Sequence, residues 1–211
     1  GFIGTNLCLS LVKNGIDFLA IDKDFKYNYI QNSFRDSCVV RDINDGISQY
    51  LKPTDVVVHL AAEGNVLDSI KNPDISFIGN IVATHNVLKD IVKSGVSKFI
   101  FSSTGGALAG SNSSNFSEDS ELNPISPYGA SKMSCEALIK GFAYSYDIDS
   151  IIFRFGNIYG PFSYHKEGII TKAIKFNLGV LQDVHIYGDG SSTRDYLYVD
   201  DLITVIIKSI L

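Results

Sequence analysis

The chain of 211 residues is long enough for one complete domain, or for one domain and part of another. Its composition, 45% hydrophobic and 19% charged, is typical of a globular protein with a sizeable core. The net charge of -5 offers no basic surface for nucleic acid, and no apolar run approaches a membrane span in length. We therefore expect neither nucleic acid nor a membrane as a partner.

The cysteines and histidines indicate neither a disulfide framework nor a metal site. Cys8, Cys38 and Cys135 are odd in number and scattered, without a Cys-x-x-Cys pair. The four histidines lack the spacing of metal ligands. Isolated thiols of this kind predict a reduced, cytoplasmic protein without a metal.

The first segment, Gly1-Phe2-Ile3-Gly4, opens an amphipathic helical pattern that an Asn-Gly pair ends. A short apolar strand over residues 18–21 follows and ends in Asp22. Helix, strand and terminal acid match the second half of a dinucleotide-binding βαβ unit. In that unit Gly1 lets the backbone approach the pyrophosphate, and Gly4 lets the helix pack on the strand.

Asp22 also bears on which dinucleotide is bound. A carboxylate there accepts hydrogen bonds from the adenosine ribose and repels a 2′-phosphate, which favours NAD. Lys23 and Lys26 nearby leave NADP as an alternative. Because the first strand and turn glycine of the unit would precede Gly1, and the apolar last helix has no cap at Leu211, we expect a fragment cut at both ends.

Two more strands, over residues 38–40 and 55–60, are predicted to end near the cofactor. Asp42 follows the first, where it can meet the adenine amino group or cap a helix over residues 44–51, and the residues leave both roles open. The second is a continuous apolar run suited to the middle of a parallel sheet, and small residues follow it. His59 lies inside that run and is predicted to be a satisfied core histidine.

A long helix is predicted over residues 72–95, ended by a glycine. Its polar Asn80 could reach an active-site lysine or a structural water, and His85 is predicted to be a packed or interface residue. A strand over residues 98–101 then delivers Ser102-Ser103-Thr104 to the C-terminal edge of the sheet. Ligands bind at that edge in doubly wound folds.

The segment Tyr128-Gly129-Ala130-Ser131-Lys132 opens the next helical pattern, after a loop that includes a Ser- and Asn-rich tract over residues 111–117. Residues four apart share a helix face, so Tyr128 and Lys132 point the same way. A nearby ammonium ion is expected to lower the phenol pKa from about 10, which makes a base for a sugar hydroxyl. The alternative is an exposed pair on a solvated face, and the neighbouring motifs favour the base.

The rest of the chain alternates less regularly between strand and helix. A buried strand is predicted over residues 150–155, broken by the segment 156–161, and a helix over 168–178. A glycine-rich turn precedes a short strand over 196–199, and a last helix begins at Asp200.

In this order and at this spacing, the motifs resemble the extended short-chain dehydrogenase/reductase family, in its nucleotide-sugar epimerase/dehydratase branch. The residues that carry the resemblance are Gly1-Phe2-Ile3-Gly4, Asp22, His59-Leu60-Ala61-Ala62, Ser102-Ser103-Thr104, Tyr128-Gly129-Ala130-Ser131-Lys132, Arg154-Phe155-Gly156-Asn157-Ile158-Tyr159-Gly160-Pro161 and Arg194-Asp195-Tyr196. It covers essentially the whole chain. It implies an α/β fold with a doubly wound parallel (Rossmann) sheet that binds NAD over residues 1–160, its first strand missing. Residues 161–211 would be part of a smaller domain that binds a nucleoside-diphosphate sugar.

The resemblance also implies residue roles. Tyr128 is the base, Lys132 is its partner and holds the nicotinamide ribose, and Thr104 is the catalytic hydroxyl. Asn157 and Arg194 bind the nucleotide and its diphosphate, for which a guanidinium fork is suited, although a surface ion pair is an alternative for Arg194. The implied cofactor contacts are Gly1, Phe2, Ile3, Gly4, Asp22, Asp42, Ile43, Leu60, Ala61, Ala62, Asn80, Tyr128 and Lys132.

One departure from the family pattern predicts the reaction. Dehydratases of the family carry Asp-Glu after the catalytic threonine, where this chain has Gly105-Gly106, and glycine cannot transfer a proton. The chain therefore looks more like the 4-epimerases, which oxidise a UDP-hexose transiently to a 4-keto sugar. Decarboxylation of a UDP-uronic acid, dehydration or reduction by a related enzyme, and a non-catalytic NAD-binding sensor are the alternatives. The resemblance also implies a homodimer through helices over residues 75–94 and 128–146.

Overall fold

The protein is described from a computed structural model, which covers residues 1–24, 33–110, 117–186, 188–191 and 193–211. Lys26, and residues 111–116 of the Ser- and Asn-rich tract, lie outside these described residues.

The strands within the described ranges all pair in parallel, as the alternation of strands and helices predicts. They are β1 (Ala20–Asp22), β2 (Cys38–Val40), β3 (Val56–His59), β4 (Lys98–Ser102), β5 (Asp149–Phe153), β6 (Asn157–Tyr159) and β7 (Tyr196–Tyr198). Backbone hydrogen bonds group them as β1-β2, β3-β4-β5 and β6-β7. Parallel strands are typical of sheets covered by helices on both faces.

The helices lie before, between and after these strands. They are α1 (Phe2–Lys13), α2 (Val66–Lys71), α3 (Pro73–Ser76), α4 (Ala83–Ser94), α5 (Gly106–Ala109), α6 (Pro127–Tyr146), α7 (Ile169–Asn177) and α8 (Val199–Ile210). A π-helical segment, Phe77–Val82, joins α3 to α4, so the long helix predicted over residues 72–95 is present with an irregular middle. Gly95, at φ 69°, ends it in the left-handed conformation that glycine tolerates.

Two hydrophobic cores lie on opposite sides of the central strands. Leu88 and Ile91 of α4 and Ile139 of α6 pack against the first face, together with Phe99 and Phe101 of β4. On the other face, α1 and α8 form the core through Phe2, Leu7, Leu11, Leu202, Ile203 and Ile206, with Val58 and Phe153 of the strands packed against it. Each fully buried side chain of this size contributes roughly 1.5–3 kcal/mol. The doubly wound arrangement predicted from the sequence is confirmed.

Some predicted elements differ in the structure. The helix expected over residues 44–51 is instead two 3₁₀ turns, Ile43–Asp45 and Ser48–Tyr50, because Gly46 between them takes φ 84°. The segment 156–161 was expected only to break a strand, yet it contains β6, which pairs with β7. Within the described ranges, no helix combines the length and apolar character needed to cross a membrane.

His59 at the end of β3 is a satisfied core histidine, as predicted. Its ring is only 5% exposed, lies between Phe99 and Phe101, and Nε2 is 3.2 Å from Thr84 Oγ1. Burial, with a smaller effect from Lys132, lowers its pKa from 6.5 to about 3. The imidazole is therefore neutral at pH 7.

Acid should destabilise the protein through this histidine. The unfolded chain takes up a proton near pH 6.5 and the folded chain does not, so stability is fully present above pH 6.5 and falls as the pH drops towards 3. Between pH 7 and 5.5 we expect a loss of about 1 kcal/mol in the free energy of unfolding from this residue. Urea titrations of wild type and His59→Gln at both pH values measure it, and equal losses in the two proteins would contradict the assignment.

Candidate active site

The candidate site forms where α6 begins beside the C-terminal end of β4. Ser126 caps α6, since its Oγ accepts a hydrogen bond from Gly129 N at 3.1 Å, and Pro127 at the first helical position fixes the turn. Ser69 of α2, fully buried, accepts a hydrogen bond from Tyr128 N at 3.2 Å. The first turn of α6 is thereby anchored to both the preceding loop and α2.

Tyr128 meets Thr104 across this junction. Thr104 lies near enough to the phenol to lower the pKa of Tyr128 through its side-chain hydroxyl, and it lies two residues beyond the end of β4. Gly129 makes the close approach possible, because a Cβ there would overlap the Ala107 carbonyl oxygen of α5. The structure therefore brings together the predicted base and the predicted catalytic hydroxyl.

The predicted effect of Lys132 on the phenol is wrong for this structure. The pKa of Tyr128 is raised rather than lowered, chiefly because burial disfavours the phenolate, and the hydrogen bond from Thr104 offsets only part of that effect. Without a ligand the phenol is thus protonated at neutral pH.

Lys132 itself is buried one turn along α6 from Tyr128, on the same face. Its Nζ donates to the Ser102 carbonyl oxygen at 2.8 Å and lies 4.6 Å from the centre of the Phe101 ring. Burial lowers its pKa to about 8, so it remains mostly charged at pH 7. The lysine therefore holds a positive charge at the carboxyl end of β4, beside the Tyr128–Thr104 pair.

Asn80 lies in the π-helical segment and is buried, but the contacts described for it do not include the lysine. Its Nδ2 donates to Ser131 Oγ at 2.9 Å and to the Glu63 carbonyl at 3.2 Å, while its Oδ1 accepts from Glu63 N at 2.8 Å. It therefore ties the loop after β3 to α6, a structural link that the sequence did not indicate.

The predicted dinucleotide contacts gather at the start of α1 and the end of β1. The Gly1 nitrogen lies 3.4 Å from Asp22 Oδ2, which places the acid beside the helix start. Lys23 next to it donates to Glu63 Oε1 at 2.8 Å, and this hydrogen bond raises its pKa. Asp42 caps a 3₁₀ turn by accepting from Asn44 N at 2.9 Å, so the structure shows the capping role among its two predicted roles.

Little side-chain bulk lies around the start of α1 and the end of β3. A Cβ at Gly1 would meet nothing within 4 Å, and the exposed Ala61 and Ala62 after β3 present little side-chain bulk. The prediction that Gly4 is needed for the helix to pack on the strand is wrong. A Cβ at this position would be in ordinary van der Waals contact with Leu60, at 4.0 Å, so the packing of α1 does not require glycine. Phe2 is buried in the core with α8, so only its backbone is available to a cofactor.

The remaining predicted cofactor residues have mixed positions. Ile3 and Leu60 are half-buried at the edge of the core that α1 and α8 share, and Ile43 packs on the opposite core. Ile3 lies in the first turn of α1, Ile43 follows Asp42 and Leu60 follows β3, so all three lie at element ends but contribute apolar side chains only.

The two predicted nucleotide-binding residues lie on the β6-β7 pair. Asn157 begins β6, and its Nδ2 donates to the Asp195 carbonyl at 3.1 Å. Arg194 directly precedes Asp195 and is exposed, with Nη1 donating to the Thr193 carbonyl at 2.7 Å. The fold therefore brings these two side chains onto neighbouring segments.

A buried ionic cluster that the sequence analysis did not predict lies behind the site. Glu136 of α6 is 2% exposed, and both of its carboxylate oxygens accept hydrogen bonds from the Arg154 guanidinium, the shortest at 2.7 Å. Ser103 Oγ donates to Glu136 Oε1 at 2.5 Å. The spacing of Glu136 eight residues after Tyr128, on the same helix face, was the one available signal. Within the described ranges, no group of three or more acidic, histidine or cysteine side chains could hold a metal ion.

Comparison with known proteins identifies a family whose model matches nearly the whole chain. A model of the NAD-dependent epimerase/dehydratase family matches residues 1–210. A putative UDP-glucose 4-epimerase of Methanocaldococcus jannaschii is 33% identical over 214 residues, which cover 96% of this chain and 68% of that protein. A dTDP-D-glucose 4,6-dehydratase of Dictyostelium discoideum is 34% identical over 229 residues, which cover 97% of this chain and 52% of that protein.

A solved structure shows the same fold. The UDP-glucuronic acid 4-epimerase of Bacillus cereus, in complex with UDP-glucuronic acid and NAD, superposes with a TM-score of 0.86 at 31% identity. The match covers 98% of this chain and 69% of that one. Both 4-epimerases and 4,6-dehydratases are thus among the proteins that this chain resembles.

Proposed function

This chain belongs to the NAD-dependent epimerase/dehydratase family, and we propose that it interconverts nucleoside-diphosphate sugars, UDP-hexoses in particular, at C4. The observation that carries the proposal is the contact between Tyr128 and Thr104 beside the charged Lys132, followed by two glycines. This arrangement provides a proton acceptor and a hydroxyl for the sugar. It places no carboxylate directly after Thr104, where the family's dehydratases carry Asp-Glu.

The residues of the chain would act on the protons of the substrate. Tyr128 accepts the proton of the C4 hydroxyl and returns it, and Thr104 holds the substrate hydroxyl in line with the phenol. Lys132 supplies a positive charge that favours the phenolate once substrate has displaced water. The chemistry that NAD would supply when bound is that of a reversible hydride acceptor for the sugar C4.

NAD is the proposed cofactor, held along the start of α1 and the ends of β1, β2 and β3. Asp22 is proposed to accept the ribose hydroxyls, with Gly1, Phe2, Ile3 and Gly4 at the pyrophosphate. Lys23 and Lys26 are the residues that leave NADP open. Lys26 lies outside the described residues, and the ion pair of Lys23 with Glu63 reduces the availability of Lys23 to a 2′-phosphate. Solved relatives in the family bind NAD, as the Bacillus cereus enzyme does.

Removing the charge of Asp22 should therefore weaken the preference for NAD. In Asp22→Asn we expect the ratio of NADP to NAD dissociation constants to fall roughly five- to tenfold, the scale of a charge pair near 4 Å in water. Calorimetric titration of both cofactors measures the ratio. The exposed Asp17→Asn serves as the control, and an unchanged ratio in Asp22→Asn would remove this role.

The substrate is proposed to be a UDP-sugar, with Asn157 and Arg194 at the nucleotide and diphosphate. Decarboxylation of a UDP-uronic acid, another reaction that begins with oxidation at C4, is the main alternative. Incubation of the full protein and NAD with UDP-glucose, UDP-N-acetylglucosamine and UDP-glucuronate, followed by NMR, distinguishes them. A C4 epimer supports the proposal, whereas a pentose product, or binding of NAD without turnover of any sugar, would contradict it.

A homodimer is proposed through the outer face of α6 and the helix before it. The groove between them, about 750 Å³, is lined by the apolar side chains of Phe77, Ile81, Leu138, Phe142 and Tyr146. Phe77 is 55% exposed, and His85 packs edge-on against Phe142 at the side of the groove. An apolar surface of this kind is typical of a subunit interface.

Arginine in this groove should prevent dimer formation. A Cβ at Gly141 meets nothing within 4 Å, so Gly141→Arg should leave the subunit folded while it introduces a charge into the interface. We expect sedimentation to show mainly monomer. Tyr144→Arg, at a 94% exposed position of the same helix that does not line the groove, is the control and should behave as wild type. A Gly141→Arg protein that sediments like wild type would exclude this interface.

We also propose a cytoplasmic location, which the three unpaired cysteines favour. The division into a cofactor part over residues 1–160 and a substrate part over 161–211 stays a prediction. The helix α8 of the second part packs against α1 of the first in one core.

A further inference from the structure

The buried cluster behind the site has no role in the reaction as proposed above. We propose that Ser103 and Glu136 are positioning residues that set the contact between Thr104 and Tyr128, and that Arg154 holds Glu136 in place. The predicted effect on turnover rests on the proposed function. The predicted effect on the pKa of Tyr128 rests on the geometry and does not depend on the proposed function.

A hydrogen bond from Ser103 connects the end of β4, which leads to Thr104, with α6, which carries Tyr128. Ser103 directly precedes Thr104, and its backbone nitrogen donates to the Phe153 carbonyl of β5 at 2.8 Å. Its buried hydroxyl donates to Glu136 Oε1 at 2.5 Å. Because Tyr128, Lys132 and Glu136 follow one another at four-residue spacing on α6, this bond ties the Thr104 peptide to the face that carries the base.

The second link joins the same carboxylate to the loop that leads into α6. Arg154 donates from Nε and Nη2 to Glu136, and from Nη1 to the Glu118 carbonyl at 2.9 Å. The loop from Glu118 runs on to Ser126, the N-cap of α6. Glu136 is thus held by the strand end on one side and, through Arg154, by the loop on the other.

Stability alone is a weak explanation for this cluster. Burying a carboxylate and a guanidinium is costly, and an apolar pair of similar volume is often as stable or more so. A bidentate ion pair does, however, fix direction as well as distance. The Thr104 hydroxyl must be oriented correctly in order to reach the phenol of Tyr128.

Loss of the Ser103 hydroxyl should therefore change the pKa of Tyr128 indirectly, through Thr104. If Thr104 moves, its hydrogen bond to the phenol weakens, and that bond lowers the Tyr128 pKa. We expect the Tyr128 pKa to rise in Ser103→Ala and in Thr104→Val, and to rise no further in the double variant than in Thr104→Val. The other side chain that influences this phenol is Cys135, which these substitutions leave in place.

The experiment is a tyrosinate absorbance titration of each protein, with the matching Tyr128→Phe protein subtracted so that only Tyr128 is observed. Arg154→Lys, which keeps the charge and loses the fork, is a second variant and should shift the pKa in the same direction. Ile139→Val, a buried change on α6 outside the cluster, controls for general destabilisation and should leave the pKa unchanged. With an active sugar, kcat in Ser103→Ala should fall about ten- to a hundredfold with KM little changed.

The outcomes separate this inference from the proposed function. An unchanged Tyr128 pKa in both Ser103→Ala and Arg154→Lys, with only a lower Tm, would show that the cluster is structural and overturn the inference. If no sugar is turned over by wild type, the proposed function fails, and the titration still decides the positioning role.

Discussion

Replacing Tyr128 by phenylalanine is expected to lower turnover of the sugar nucleotide by about 10²-fold or more, the scale of general acid–base catalysis. The variant loses one oxygen, and the backbone bond from Tyr128 N to Ser69 and the cap at Ser126 do not depend on that oxygen. We therefore expect NAD and sugar nucleotide to bind with nearly unchanged affinity. Steady-state kinetics together with calorimetric binding measures both quantities.

The control lies on the same helix. Tyr144→Phe removes a phenol that is 94% exposed and should leave kcat unchanged. Because burial raises the Tyr128 pKa, wild-type kcat/KM should increase as the pH rises from neutral, until Lys132, with a pKa of about 8, loses its charge. Near-normal turnover in Tyr128→Phe would exclude this phenol as the base.

The second large effect concerns the product. The protein should release no 4-keto-6-deoxy sugar from either UDP-glucose or dTDP-glucose. Elimination of water requires a proton to be taken from C5 and another to be delivered to the C6 hydroxyl, so it needs two positioned ionisable groups. Gly105 and Gly106 supply neither, whereas epimerisation needs only the phenol, the hydride acceptor and space for the keto sugar to turn.

The structure adds a physical reason at each glycine. A Cβ at Gly105 would lie 3.4 Å from the Arg154 carbonyl oxygen and 3.6 Å from the Phe155 carbonyl oxygen, so a side chain there would contact the backbone that follows β5. A Cβ at Gly106 would meet nothing within 4 Å, which leaves open space at that position. Gly106 thus provides room, and neither glycine provides an acid or a base.

NMR of reaction mixtures over complete turnover tests the prediction, and the dehydratase relatives make the test informative. A C4 epimer as the only product agrees with it. Accumulation of 4-keto-6-deoxy product would show that the reaction is a dehydration. Glu118 or Glu121 in the following loop would then be the candidates for its acid and base.

The sequence determined the order of the elements and predicted which groups react. Apolar runs that end near Asp22 and Thr104 predicted strands, because hydrophobic periodicity is a local property. The four-residue spacing of Tyr128 and Lys132 predicted a shared helix face, because helical spacing is local as well. The same local logic indicated that His59 belongs to the core. The prediction from the local pattern was wrong over residues 44–51, where the positive φ of Gly46 divides the predicted helix into two 3₁₀ turns.

Only the tertiary structure decided the environment of those groups. The pKa of Tyr128 is raised because the phenol is buried in the folded chain, and this direction opposes the prediction from Lys132 alone. The links from Ser103 to Glu136 and from Glu136 to Arg154 span 33 and 18 residues and follow no periodic pattern. Sequence spacing specifies which side chains share a helix face, whereas desolvation and long-range hydrogen bonds arise only when separate elements pack together.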